Sequence, residues 1–252
     1  MRRLELRPRP PFRLDLTVWA LRRRDQNRID TWDGRSYRRA LIVDGAPLEM
    51  SVTQLERAST PRLEVVLTGP NATSRTEDAV RSTLARLLGF DLDLSSFYAR
   101  AARDHALDEL AERYRGVKPP RFPTIFECLL NAVACQQLSL AAGLTLLNRL
   151  AATAGAPAGD LHAFPTPTGI LGLTRSALRT VGFSERKAET IFELADAAAA
   201  GELELAPLER LDDAAVVGGS SGGAASGPGA RITSCCAGSG ASTSFRRATS
   251  AR

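Results

Sequence analysis

Residues Phe122-Pro123-Thr124-Ile125-Phe126-Glu127-Cys128-Leu129-Leu130-Asn131-Ala132-Val133-Ala134-Cys135-Gln136-Gln137-Leu138-Ser139-Leu140 read as a buried helix that ends in two glutamines and a serine. A second helix then begins, over 139–153. Taken alone, Gln136–Ser139 is a polar helix–helix turn, a commoner thing than a binding loop. Further along, Thr166-Pro167 supplies an N-cap and first turn, and helices are predicted over 175–180 and 185–200. Ser184 caps the last of these, which runs through alanines to Gly201. Upstream lie candidates over 94–103 and 106–114. Between Gly89 and residue 217 no segment alternates, so this part of the chain is predicted all-helical.

The chain before Gly89 has the other period. Phe12, Leu14, Leu16 and Val18 alternate with polar residues, which predicts a strand over 12–20. Tyr37–Val43, Leu48–Leu55 and Arg62–Thr68 predict three more. Asp44-Gly45 is the strongest hairpin signal, because both positions tolerate positive φ. Gly69-Pro70 closes the fourth strand. Ser74-Arg75-Thr76-Glu77 reads as a capping box opening a helix with Val80, Leu84, Leu87 and Leu88 on one face, ended by Gly89. The fold class expected is α+β. An antiparallel sheet domain spans 1–115, an incomplete helical domain spans 116–217, and a tail spans 218–252.

With 252 residues, 44% hydrophobic and 24% charged, the chain can bury one large core or two ordinary ones. No apolar run reaches membrane-spanning length, and Met1-Arg2-Arg3-Leu4 leads into Arg7, Pro8, Arg9 and Pro10 rather than a secretory signal. Cys128, Cys135, Cys235 and Cys236 form no C-x-x-C pair, which argues against a zinc site, a four-cysteine iron–sulfur cluster or a disulfide framework. No metal or cofactor is expected. A reduced, cytoplasmic setting is. His105 and His162 have no partner spacing, and Trp19 and Trp32 are read as core residues rather than base-stacking ones.

The net charge of +5 is uneven. Residues 1–39 carry twelve arginines against five acids, and 218–252 carry four arginines and no acid. The basic N-terminal segment is either a phosphate-facing surface or a solvated arginine-rich face. Only Lys118 and Lys187 are lysines; the other 31 basic residues are arginine, the bias of a GC-rich genome. Within 218–252, 23 of 35 residues are glycine, serine or alanine, a composition that predicts a disordered tail.

The stretch 122–140 resembles the P-x-x-F-E … G-Q-Q-x-S segment of the helix–hairpin–helix DNA glycosylases, specifically the DNA-3-methyladenine glycosylase II family. The flanks match as well. Phe164-Pro165-Thr166-Pro167, Val181-Gly182-Phe183-Ser184-Glu185-Arg186-Lys187-Ala188, Leu194-Ala195 and Gly201-Glu202-Leu203 follow the same pattern. Pro11–Leu16, Trp32-Asp33-Gly34 and Tyr37-Arg38-Arg39 look like that family's N-terminal sheet domain, so the resemblance covers about 11–217. One departure is Cys135, where the family usually has glycine.

The resemblance implies base excision: bending the duplex, swinging an alkylated purine into a pocket and filling the gap with a wedge. Gln136, Gln137, Leu138 and Ser139 are then the DNA-binding residues, with Gln137 at the wedge position and Leu138 its neighbour. The implied partner is double-stranded DNA containing alkylated bases. The implied protein is a monomer in the cytoplasm, associated with the nucleoid and with no membrane. The family's hairpin, which holds a phosphate through backbone N–H groups, and its catalytic aspartate should follow at about 205–215. Neither occurs, and no Asp or Glu follows Asp213.

The tail is compatible with the right DNA read in the wrong frame. Shifting each codon by one base leaves the second and third letters fixed. Residues 224–236 then admit R-G-I-G-P-W-S-A-D-Y-V-L-L, the family's hairpin signature followed by an apolar helix. Residues 237–252 admit a V-F-P segment, and the catalytic aspartate would overlap Thr249. The alternative is a Ser/Gly tail that complies by accident. The shifted codon at Gly229 permits Trp, Arg or Gly but never the lysine of lyase-type relatives, which implies a monofunctional hydrolase.

The expected function is therefore a DNA repair glycosylase hydrolysing the N-glycosidic bond of alkylated purines, with this chain inactive because no catalytic residue lies in its frame. A non-catalytic DNA-binding remnant and an unstable pseudogene product are the alternatives.

Overall fold

The computed structural model describes residues 1–70 and 72–203. Its elements fall into two compact units. One comprises Met1–Pro123 with Gly155–Phe164; the other comprises Thr124–Ala154 with the described residues from Pro165 to Leu203. The expectations for the 218–252 tail and for Thr249 lie outside the described residues. Among the described residues, no helix is long and apolar enough to cross a membrane.

The first unit is built on a five-stranded antiparallel sheet. Its strands are β1 (Arg2–Leu6), β2 (Thr31–Trp32), β3 (Ser36–Val43), β4 (Ala46–Gln54) and β5 (Leu63–Thr68), in spatial order β1-β5-β4-β3-β2. The Asp44-Gly45 turn sets the central register, with Val43 opposite Ala46 and φ of 50° and 76° at the turn. Alternation gives the sheet two faces. Leu48, Met50, Val52, Leu63, Val65 and Leu67 join the main core with α1 (Leu14–Arg22) and α2 (Ser74–Leu88). On the opposite face Ala40 meets Leu161 and Ala163, brought there by the hairpin of β6 (Pro157–Ala158) and β7 (Leu161–His162). Two short helices complete this unit, α3 (Ser95–Ala101) and α4 (His105–Arg113).

Four local expectations differ from the structure. Residues 14–22 form α1, not a strand. Leu14, Thr17, Val18 and Leu21 are buried at helical spacing, and within the alternating set Leu14 and Val18, four apart, fit both periods. The helix turns Trp19 outward, where it is 67% exposed and stacked on Tyr114, so it is not a core residue. Trp32 does pack against the core. The sheet instead recruits β1, whose Arg-Arg-Leu-Glu-Leu carries little apolar signal. The capping box of α2 sits one residue earlier, between Thr73 and Thr76 rather than Ser74 and Glu77. The β6–β7 hairpin is also a strand pair within a region expected to be wholly helical.

The second unit is helical: α5 (Ile125–Cys135), α6 (Leu140–Ala154), α7 (Pro167–Leu171), α8 (Arg175–Val181) and α9 (Glu185–Ala199). All five start on a hydroxyl cap that accepts a backbone N–H: Thr124 from Glu127, Ser139 from Ala142, Thr166 from Gly169, Thr174 from Ala177 and Ser184 from Lys187. Gly182 ends α8 at φ 119°, and a Cβ there would lie 2.8 Å from Leu146 Cδ2. Helix α9 packs on α5, α7 and α8 through Ala188, Ile191, Leu194 and Ala195. Small residues at 188 and 195 permit close approach.

Candidate functional site

The corner between α5 and α6 has a defined shape. Gln136 is extended at φ −60°, ψ 132°, and Gln137 is left-handed at φ 55°. The Leu138 N–H donates to the Cys135 carbonyl at 3.3 Å, closing a type II turn. That turn requires positive φ at its third residue, where glycine or asparagine is the usual occupant. A glutamine there holds a conformation that costs an L-residue about 1–2 kcal/mol. Ser139 starts α6: its Oγ accepts the Ala142 N–H at 3.2 Å and its carbonyl accepts the Gly143 N–H at 3.0 Å. Gln137, Leu138 and Ser139 are exposed and Gln136 is half-buried. All four residues singled out in the sequence thus share one protruding corner, with a backbone outlier and an exposed leucine (45%) side by side.

Two contacts hold this corner from behind. Lys187, in the first turn of α9, donates from Nζ to the carbonyls of Ala134 at 3.2 Å and Gln136 at 2.9 Å. A helix C-terminus leaves its last carbonyls without intrahelical donors and carries partial negative charge, so a cation there is favourable. The Gln136 N–H serves Ala132, the Leu138 N–H serves Cys135, and the lysine serves Ala134 between them. Burial pushes the Lys187 ammonium below the ordinary lysine range, with Cys135 opposing the shift. The second contact is Cys135 against Gly143 across the α5–α6 pair. Among the described residues, no cluster of three or more His, Cys, Asp or Glu side chains could hold a metal ion.

The basic N-terminal segment uses much of its charge internally. Arg2 pairs with Glu77, Arg3 with Glu64, Arg9 with Asp93, Arg13 with Asp15 and Arg22 with Asp25. Arg38 bridges Glu49 and Asp160, which raises its pKa further, Asp160 contributing most. Arg39 is buried against Asp30 at 2.7 Å.

Sequence reading attached no role to Lys187, although a signal existed. In a chain with 31 arginines, both lysines send Nζ to backbone carbonyls, Lys118 to Leu92 at 2.6 Å and Lys187 to the α5 end. A compact ammonium enters such spaces where a planar guanidinium does not.

Comparison with known proteins agrees with this architecture. Residues 130–242 match the family described as HhH-GPD superfamily base excision DNA repair protein, a match that starts in α5 and runs into the Gly/Ser/Ala-rich segment. A Bacillus subtilis (strain 168) protein provisionally named DNA-3-methyladenine glycosylase YfjP is 28% identical over 108 residues. That alignment spans 43% of this chain and only 38% of the relative. The 3-methyladenine DNA glycosylase from Archaeoglobus fulgidus superposes with a TM-score of 0.70 at 24% identity, over 94% of this chain and 80% of that one. The Clostridium acetobutylicum 8-oxoguanine glycosylase/lyase, in complex with double-stranded DNA containing cytosine opposite 8-oxoguanine, gives a TM-score of 0.58 at 17% identity, over 84% and 70% of the two chains. Over residues 130–242, which include most of α5 and the Gln-Gln-x-Ser corner between α5 and α6, the chain is thus similar to the HhH-GPD superfamily of base excision DNA repair proteins.

Proposed function

We propose that this chain derives from a monofunctional DNA glycosylase that hydrolyses the N-glycosidic bond of alkylated purines of the 3-methyladenine type after flipping them out of the duplex. The observation that carries the reading is Gln137: exposed, left-handed at φ 55°, and flanked by exposed Leu138 at the tip of the α5–α6 corner. A side chain presented on a taut turn can enter a base stack without reorganising the fold. Half-buried Gln136 and exposed Ser139 flank the pair. The names of the similar proteins support the substrate class.

The test is binding and excision on defined duplexes. The chain should bind an oligonucleotide with a central abasic site more tightly than the intact duplex. Excision of a methylated purine, without strand cleavage, should require the frame restored after Val217. Robust excision by the 252-residue chain itself would show that the aspartate in the Thr249 register is dispensable. Equal affinity for intact and abasic duplex would remove the wedge role.

A second reading is favoured by the sequence after Asp213, which holds no acid. The chain would then be a DNA-binding remnant without catalysis, and abasic-site affinity with no excision before or after frame restoration would identify it.

A further inference from the structure

We infer that Lys187 is the positioning residue of the α5–α6 corner: its ammonium locks the two carbonyls that bracket Cys135 and so holds Gln137 in its left-handed conformation for insertion into DNA. This inference rests on the function proposed above.

The geometry is specific. One nitrogen reaches Gln136 O at 2.9 Å and Ala134 O at 3.2 Å. Gln136 is the second residue of the type II turn, so its carbonyl belongs to the peptide that joins it to Gln137. Fixing that carbonyl fixes the peptide plane, and with it the φ of Gln137. Without a donor, this peptide is free to flip by rotation of Gln136 ψ and Gln137 φ, and glutamine prefers negative φ. Lys187 is itself held: it is the N3 residue of α9, with its N–H on the Ser184 cap and Ala188 beside it fully buried on the core face. The ammonium therefore transmits the rigidity of the α9 start to the strained turn. An arginine would place its nitrogens in a planar fork, unsuited to a single donor between two carbonyls.

The test is a double-mutant cycle on the full chain, read by affinity for a duplex with a central abasic site. Lys187→Met should weaken binding about tenfold, the scale of a lost charge-assisted hydrogen bond. In a Gln137→Ala background the same change should cost less than about twofold, because the residue being positioned has gone. Lys187→Arg should stay folded by circular dichroism and still bind more weakly than the parent chain. Equal losses in both backgrounds, or full affinity in Lys187→Arg, would overturn the inference, the first pointing to a direct phosphate contact or a general folding role. Amide hydrogen exchange gives a readout that needs no DNA. Lys187→Met should speed exchange at Leu138, whose N–H closes the turn on the Cys135 carbonyl, about tenfold, the kinetic counterpart of losing one such bond, while mid-helix amides of α5 stay unchanged. Unchanged exchange at the corner overturns the clamp. Loss of abasic-site preference in the parent chain, with the exchange effect intact, would overturn the proposed function and leave the clamp standing.

Discussion

Cys135 and Gly143 occupy one space between them. An ideal Cβ on Gly143 would lie 2.5 Å from Cys135 Sγ, 3.0 Å from its Cα and 3.3 Å from its Cβ. The close approach of α5 and α6 just behind the corner thus depends on one of the two residues lacking a side chain. Here the glycine stands at 143, opposite Cys135, and the helices meet.

Gly143→Ala should therefore destabilise the fold by about 1–3 kcal/mol through overpacking, less up to ~1 kcal/mol regained from helix propensity. Chemical denaturation measures it. Cys135→Gly combined with Gly143→Ala should recover part of the loss, since the thiol clash disappears while the new methyl still presses on the backbone of residue 135. An unaltered midpoint in the single variant would mean that the helices part without cost.

Gln137→Gly and Gln137→Ala separate strain from contact. Glycine relieves the left-handed backbone and should raise stability by roughly 0.5–1 kcal/mol. Alanine keeps the strain and should leave stability nearly as it is. Both should weaken abasic-site binding by about 1–3 kcal/mol, the scale of a base stacking contact. Affinity retained in either variant would move the wedge to Leu138.

The Arg39–Asp30 pair is a vulnerable point of the sheet unit. Both side chains are almost fully buried, and the Tyr37 hydroxyl also donates to Asp30, at 2.7 Å. Asp30→Ala leaves the guanidinium without its carboxylate and should cost about 3–5 kcal/mol in urea denaturation. Changing both residues to apolar ones of similar volume should recover much of that, because the uncompensated charge is removed.

Asp33 sets part of the acid limb of stability. Its carboxylate accepts the Ser36 N–H at 2.7 Å and the Arg35 N–H at 2.8 Å in the β2–β3 turn, and these bonds, Ser36's first, hold its pKa below the ordinary aspartate value. Asp160 is depressed likewise, by Arg38. A lowered folded-state pKa stabilises above the unfolded value, about 3.9, and that stability is lost as pH falls through the folded value. NMR titration should place Asp33 below about 3.9. Stability should decline as pH drops from about 4 towards 2, and Asp33→Asn should make that limb shallower.

The sequence alone determined what short-range physics can determine. The Asp44-Gly45 hairpin, the strands on either side of it, the Gly89 stop and the caps at Thr166 and Ser184 follow from φ preferences and hydroxyl donors and acceptors acting over a few residues. The Gln-Gln-x-Ser corner was legible as a break between two apolar helices. Tertiary structure decided the rest, because the deciding partner lies far along the chain. Strand or helix at 12–22 was settled by which spacing met the core, not by the alternation itself. β1 exists only because β5 offers an unpaired edge about sixty residues later. The left-handed backbone of Gln137 contradicts its own preference, and is sustained where Lys187, fifty residues downstream, reaches the carbonyl in front of it.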